Sequence, residues 1–246
     1  MPIVRILLVF LALASPALAQ DGAREAATAR EAAQAFRVYV EGVTKTGGRP
    51  DLARPEVAAL FSRVFDLDAL NALPPVQASD LDWLIDWIGA ANATIKLFTR
   101  YGSKPGPQPD LAALGRNMAE YEDQYAAAMN FMVRGMAREA VSSNMFWAGL
   151  APEQRTRVRE EGLTGLRRTA AEWILEAICS VSASKPANVR LVAAAIRDTR
   201  EVWAIFFLPQ DRARVIEGLA FYQKQVTDET ARTDLAAFAA ALQAVN

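Results

Sequence analysis

The chain has 246 residues, 27 basic and 28 acidic side chains, no histidine and one cysteine, and its formal net charge is −1. A balance so near neutrality carries no electrostatic argument for nucleic acid or an anionic membrane surface as partner. Without histidine, Ser-His-Asp and Cys-His catalysis, His-containing zinc sites and His-ligated haem are excluded; with Cys179 alone, so are Cys-rich metal sites and an intrachain disulfide.

The first element in chain order is a leader. Arg5 precedes an uncharged apolar run from Ile6 to Ala14, and Pro16 and Ala17-Leu18-Ala19 follow it. A charged start, a short apolar run and a small-x-small end define a secretory signal peptide, with cleavage expected after Ala19. The run is short of the ~20 apolar residues a membrane span needs, and Gln20 stands where a lipid-modified cysteine would be. Cleavage removes Arg5 and leaves residues 20–246, a 227-residue chain with a net charge of −2. An exported chain of that size without disulfides fits a bacterial periplasm. No later segment is apolar enough to span a membrane.

Beyond the leader the apolar spacing is helical throughout. Ala29, Ala33, Phe36, Val40 and Val43 mark a first helix that ends at Gly47-Gly48-Arg49-Pro50. Pro55 opens a second through Val57, Leu60, Phe61, Val64 and Phe65. Ser79-Asp80-Leu81-Asp82 resembles a capping box for a third, which carries Leu81, Leu84, Ile85, Ile88, Ala91, Ile95 and Phe98. Gly102 to Pro109 is the clearest loop and a soft domain boundary. One long helix is then expected from Asp110 to about Trp147, with Leu111, Leu114, Met118, Tyr121, Tyr125, Met129, Met132 and Met136 on its stripe. Pro152 opens the next, with Val158, Leu166, Ala170, Trp173, Ile174, Ala177 and Ile178. Another runs from Pro186 to Phe207, a seventh starts at Pro209, and Thr227 or Asp228 caps the last. No strand-type alternation occurs. The expected fold is all-α: a single domain of seven or eight mostly antiparallel helices, a bundle with a hint of an array. That hint is the echo between Pro152–Val158 (PEQRTRV) and Pro209–Val215 (PQDRARV), each after an aromatic helix end; with two copies, coincidence in Arg/Ala-rich helices is the simpler account.

Several features bear on function. Asp66-Leu-Asp68 opens like a calcium loop, but Leu70, Asn71 and Gln77 occupy positions that need an oxygen ligand, a turn glycine and a bidentate glutamate, so it is rejected. Met129, Met132 and Met136 share a helical face, which suits Cu(I) or an apolar ligand, although methionine is also an ordinary core filler. Trp83 and Trp87 stand at i, i+4, away from the stripe of their own helix. That places them either in a helix packed on two sides or in an exposed aromatic patch. Arg155, Arg157, Arg159, Arg167 and Arg168 interleave with Glu153, Glu160, Glu161 and Glu172 as a solvated, salt-bridged face, including Glu153–Arg157 at i, i+4. Cys179, beside Ile178, reads as a small buried hydrophobe. Glu120, Glu122 and Asp123 are the acids nearest one another in the long helix, and look like a solvated face.

The function expected from these residues is an exported helical binding or adaptor protein that engages a protein partner. Trp83, Trp87, Met129, Met132 and Met136 are its candidate ligand or partner surface, and no catalytic residue, metal site or cofactor is assigned. The alternatives are a carrier of an apolar molecule or Cu(I) along the Met118–Met136 face, and a hydrolase working with carboxylates alone.

Overall fold

A computed structural model describes residues 16–104, 110–182 and 184–245, and every regular element among them is helical. The expected leader lies almost wholly outside the described residues, as does most of the 102–109 loop.

The described helices are α1 (Pro16–Lys45), α2 (Pro55–Val64), α3 (Leu67–Ala72), α4 (Leu81–Thr99), α5 (Leu111–Glu120) and α6 (Glu122–Gly149). They continue with α7 (Arg157–Val181), α8 (Pro186–Asp198), α9 (Arg200–Phe206), α10 (Pro209–Tyr222) and α11 (Glu229–Ala244). Short 3-10 turns at Ala78–Asp80 and Pro152–Gln154 precede α4 and α7.

Local chemistry sets many of the ends. Pro55, Pro186 and Pro209 occupy first turns, where their missing N–H costs nothing. Asp66, Asp110 and Asp228 cap their helices by accepting from Ala69 N (2.8 Å), Ala113 N (3.0 Å) and Ala231 N (2.9 Å). Asp66, the false start of a calcium loop, is therefore a helix cap. The turn before α4 is closed by the Asp80 carboxylate accepting from Gln77 N at 2.7 Å, so the reciprocal cap lies two residues earlier than the expected Ser79–Asp82 box.

The eleven described helices exceed the expected seven or eight because two long ones are broken where no glycine or proline stands, and because α3 forms within 66–73, where a turn was expected. The helix expected from Asp110 to Trp147 breaks at Tyr121 (φ −110°, ψ 32°). There the Tyr121 hydroxyl donates to Pro50 O at 2.7 Å, and Asn117 uses both amide hydrogens on Thr99 O (2.9 Å) and Tyr101 O (2.7 Å). The helix expected from Pro186 to Phe207 breaks at Thr199 (φ −102°, ψ 5°). The Thr199 hydroxyl donates back to Ala195 O at 2.8 Å and accepts from Trp203 Nε1 at 2.8 Å. The Tyr121 bend is held by a side chain reaching a distant part of the chain, and the Thr199 bend by a hydroxyl that bonds one turn back and one turn on; spacing of apolar residues reveals neither.

α6 is the hub. It packs on α4, α7, α8 and α9 and on the turn before α4. α4 in turn lies against α1 and α2, α7 against α10, and α8 against α11. One continuous hydrophobic core threads these helices. Its aromatic part in the first half links Phe61, Phe65, Trp87, Phe98, Tyr121 and Phe131 edge to face or tilted. In the second half Trp203 stacks on Phe207, with centroids 5.3 Å apart. Two glycines stand at close approaches, Gly22 against a rigid ring and Gly218 against a leucine end that can shift. A Cβ on Gly22 would come within 2.6 Å of the Trp83 ring, and one on Gly218 within 2.4 Å of Leu175.

Candidate functional site

The five residues expected at a surface are all in the core. Met129 and Met132 are 0% and 1% exposed, and Met136, Trp83 and Trp87 are buried with them. The Trp pair is explained by its neighbours: α4 is covered on one side by α1, whose Gly22 lies flat on Trp83, and on another by α6, whose Gly135 faces Ile88. Each indole N–H has a partner, Asp80 Oδ1 for Trp83 (3.2 Å) and Val64 O for Trp87 (2.8 Å). Of the two readings of this helix, packing on two sides is the one the geometry displays, and the Met stripe is filled by side chains from the same core.

Cys179 departs from expectation in the other direction: it is exposed. Ile174, Ala177 and Ile178 occupy the inner face of α7, and position 179 falls one step, about 100°, outside it. Leu111 (72% exposed) and Val158 (61%) likewise leave the stripes in which their spacing put them.

The candidate acids are fixed by cations. Glu120 pairs with Arg49. Glu122 holds Lys185 Nζ at 2.8 Å and accepts from Ser184 Oγ at 2.8 Å. Asp123 holds the same ammonium at 3.1 Å and accepts from Asn188 Nδ2 at 2.9 Å. The Lys185 hydrogen bond draws the Glu122 carboxyl below its ordinary range, and the Asn188 bond does the same for Asp123. Acids held ionised in this way cannot serve as proton donors near neutrality. Among the described residues no group of three or more His, Cys, Asp or Glu side chains could hold a metal ion. A small apolar hollow, about 10 Å³, lies between Ile178, Val189, Val192 and Leu235 and admits nothing larger than a water.

The arginine-rich face of α7 is more structural than its composition suggests. Arg157 pairs with Glu161 at 2.7 Å rather than with Glu153. Arg155 reaches back to close the preceding helix, donating to Leu150 O and Ala148 O, both at 3.2 Å. Arg212, its counterpart in the echoed segment, does the same to Phe207 O (3.0 Å) and Ala204 O (3.3 Å). The echo is thus one device used twice, in which an arginine three residues after a proline ties off an aromatic helix end. The helices that follow, α7 and α10, pack on each other.

What sequence reasoning missed is the corner joining α6 to α7. Met145 is 41% exposed and Val158 61%, and Phe146, Trp147 and Leu150 between them are only partly covered. Arg155 lies over the Trp147 ring, 5.9 Å from its centroid. The readable signal was the run Met145-Phe146-Trp147 at a helix end followed by Leu150 and Pro152, where the chain turns and cannot bury all of them. A second omission is Glu139, the sole acid between Asp123 and Glu153. It falls three and seven residues after Met136 and Met132, hence on the buried stripe. It is 7% exposed.

No protein-family model, curated protein or solved structure matches the chain. The functional reading therefore rests on the geometry of an all-helical protein with a packed hydrophobic core and an apolar corner. None of its described helices is long and apolar enough to cross a membrane.

Proposed function

We propose that this chain is an exported, periplasmic binding or adaptor protein that docks on a protein partner through its α6–α7 corner. The carrying observation is Trp147, partly exposed beneath the Arg155 guanidinium, with exposed Met145 before it and exposed Val158 after it in the chain. Tryptophan and arginine dominate the energetics of protein interfaces, and methionine adapts to irregular partners. The hydrogen bonds of Arg155 to the end of α6 hold this corner in one shape, which lowers the ordering cost of binding. Export is supported by the leader-like first 19 residues, and the mature chain would begin at Gln20, inside the first turns of α1.

The test is capture from a periplasmic extract with purified mature protein and a Trp147→Ala/Val158→Asp variant. The wild type should retain a defined partner and the variant at least tenfold less, with unchanged helical circular dichroism. Equal retention by both removes the corner as the interface. N-terminal sequencing of the protein recovered from a bacterial host should begin at Gln20, and a chain that retains Met1 overturns the export reading.

A further inference from the structure

We infer that the outer face of the first half of α7 seats an amphipathic helix of the partner protein, one that offers a leucine and, a turn before it, an acid. The inference rests on the α6–α7 corner being the docking surface and names what lies on it.

α7 changes character halfway along. From Pro152 to Thr169 no residue is buried, whereas Ala170, Ala171, Ile174, Ala177 and Ile178 all are. Leu163 and Leu166 pack partly against the core on the inner side. Beside them runs an outer stripe of Val158, Gly162 and Gly165, the two glycines lying within about 40° of Val158 around the helix. Val158 is 61% exposed, both glycines are exposed, and a Cβ on Gly165 would meet nothing within 4 Å. Arg157 and Arg168 follow one edge of the stripe. Arg157 pairs with Glu161 on the open surface, where such a pair is weak and exchanges partners at little cost.

The same chain displays what covers such a stripe. In the echoed segment Phe146, Leu150, Arg155, Arg157 and Val158 correspond to Trp203, Phe207, Arg212, Arg214 and Val215. Trp203, Phe207 and Val215 are at most 2% exposed, whereas none of Phe146, Leu150 and Val158 is buried. The cover over α10 is α7 itself: Leu175 rests on Gly218, Glu172 pairs with Arg214 at 3.1 Å, and Arg167 lies over the Phe206 ring. These pairs ascend together in both helices, so α7 and α10 run parallel. Helical units stacked in this way each leave a face for the unit before them, and among the described residues nothing buries that face of α7. The register differs by a residue. Glu161 aligns with Gly218, and the bare positions that admit a leucine are Gly162 and Gly165.

Charge selects the occupant. The edge formed by Arg157, Arg168 and Glu161 is net positive and complements an acid on the incoming helix, as Arg214 complements Glu172. A second copy of the chain fits poorly. Its own Glu172 and Leu175 are taken by α10, and a two-fold pairing of this face with itself sets the arginine edge against its own copy.

The test titrates the mature protein with a labelled, helix-stapled peptide of residues 166–178, the segment that covers α10. The staple bridges positions 169 and 173, away from Glu172 and Leu175. Saturable binding is expected, weakened about tenfold by Leu175→Ala in the peptide or by Gly165→Leu in the protein. Gly165→Leu enters open space and raises helix propensity, so its effect is not unfolding. Arg157→Glu should also weaken binding, and Glu172→Lys in the peptide should restore it. Absence of saturable binding, or equal affinity for the Gly165→Leu protein, overturns the inference. In that event, loss of partner capture by Trp147→Ala/Val158→Asp leaves the corner standing with a different occupant, and unchanged capture removes both readings. A dimer in sedimentation equilibrium that Gly165→Leu dissolves would place a second copy on the face and overturn the inference as well.

Discussion

Two tryptophan-bearing stretches, Asp82–Trp87 in α4 and Phe146–Trp147 at the end of α6, meet different fates. In α4 the neighbours arrive from two sides, and each indole N–H is satisfied within the protein, so both rings are buried. At the α6–α7 corner the chain turns away, Arg155 leans on Trp147, and the apolar run stays partly open to solvent. What separates them is whether a second helix has room to lie alongside. An aromatic pair mid-helix is covered by packing, and one at a helix end is covered by whatever the loop supplies.

That contrast can be broken experimentally. The largest effect is expected from Trp87→Ala, which empties a fully buried indole site and orphans Val64 O. The loss should be about 4 kcal/mol in denaturant unfolding, and a loss below about 1 kcal/mol would mean that this face is not core. Glu139→Gln comes next. At and above pH 7 it should be more stable than wild type by about 3 kcal/mol, and near pH 4.5 the difference should vanish, since one pKa unit corresponds to about 1.4 kcal/mol. Gly22→Ala drives a Cβ into the rigid Trp83 ring. It should cost about 2 kcal/mol and shift tryptophan emission, which tests whether α1 truly seals that side of α4. Smallest of all, Trp147→Ala should stay within about 1 kcal/mol of wild type in stability while reducing partner capture. If it destabilised as Trp87→Ala does, the corner would be core and the comparison would fail.

The helical character of the chain was legible because apolar spacing of three and four residues, proline at first turns and aspartate caps are local signals. Asp110 and Asp228 act as caps where the pattern placed helix starts. The breaks at Tyr121 and Thr199 were not legible, because each is held by a partner distant in sequence or by a hydroxyl whose choice depends on packing. The same limit applies to the candidate site. Periodicity shows that Trp83, Trp87, Met129, Met132 and Met136 share faces, but whether a face meets solvent or another helix depends on which helices become neighbours. Cys179 illustrates it in reverse, being one residue from a buried isoleucine and itself exposed.

By itself, then, the sequence determined what chemistry was absent and which segments coil. Without histidine and with one cysteine, most catalytic and metal-binding arrangements were excluded before any fold was known. The tertiary structure decided which apolar surfaces are core, which acids are neutralised by Lys185 and Arg49, and that Glu139 is left without a partner. The physical reason is range. Helix propensity, capping and periodicity act within a turn or two, whereas burial and electrostatic pairing depend on groups that only the packed chain brings together.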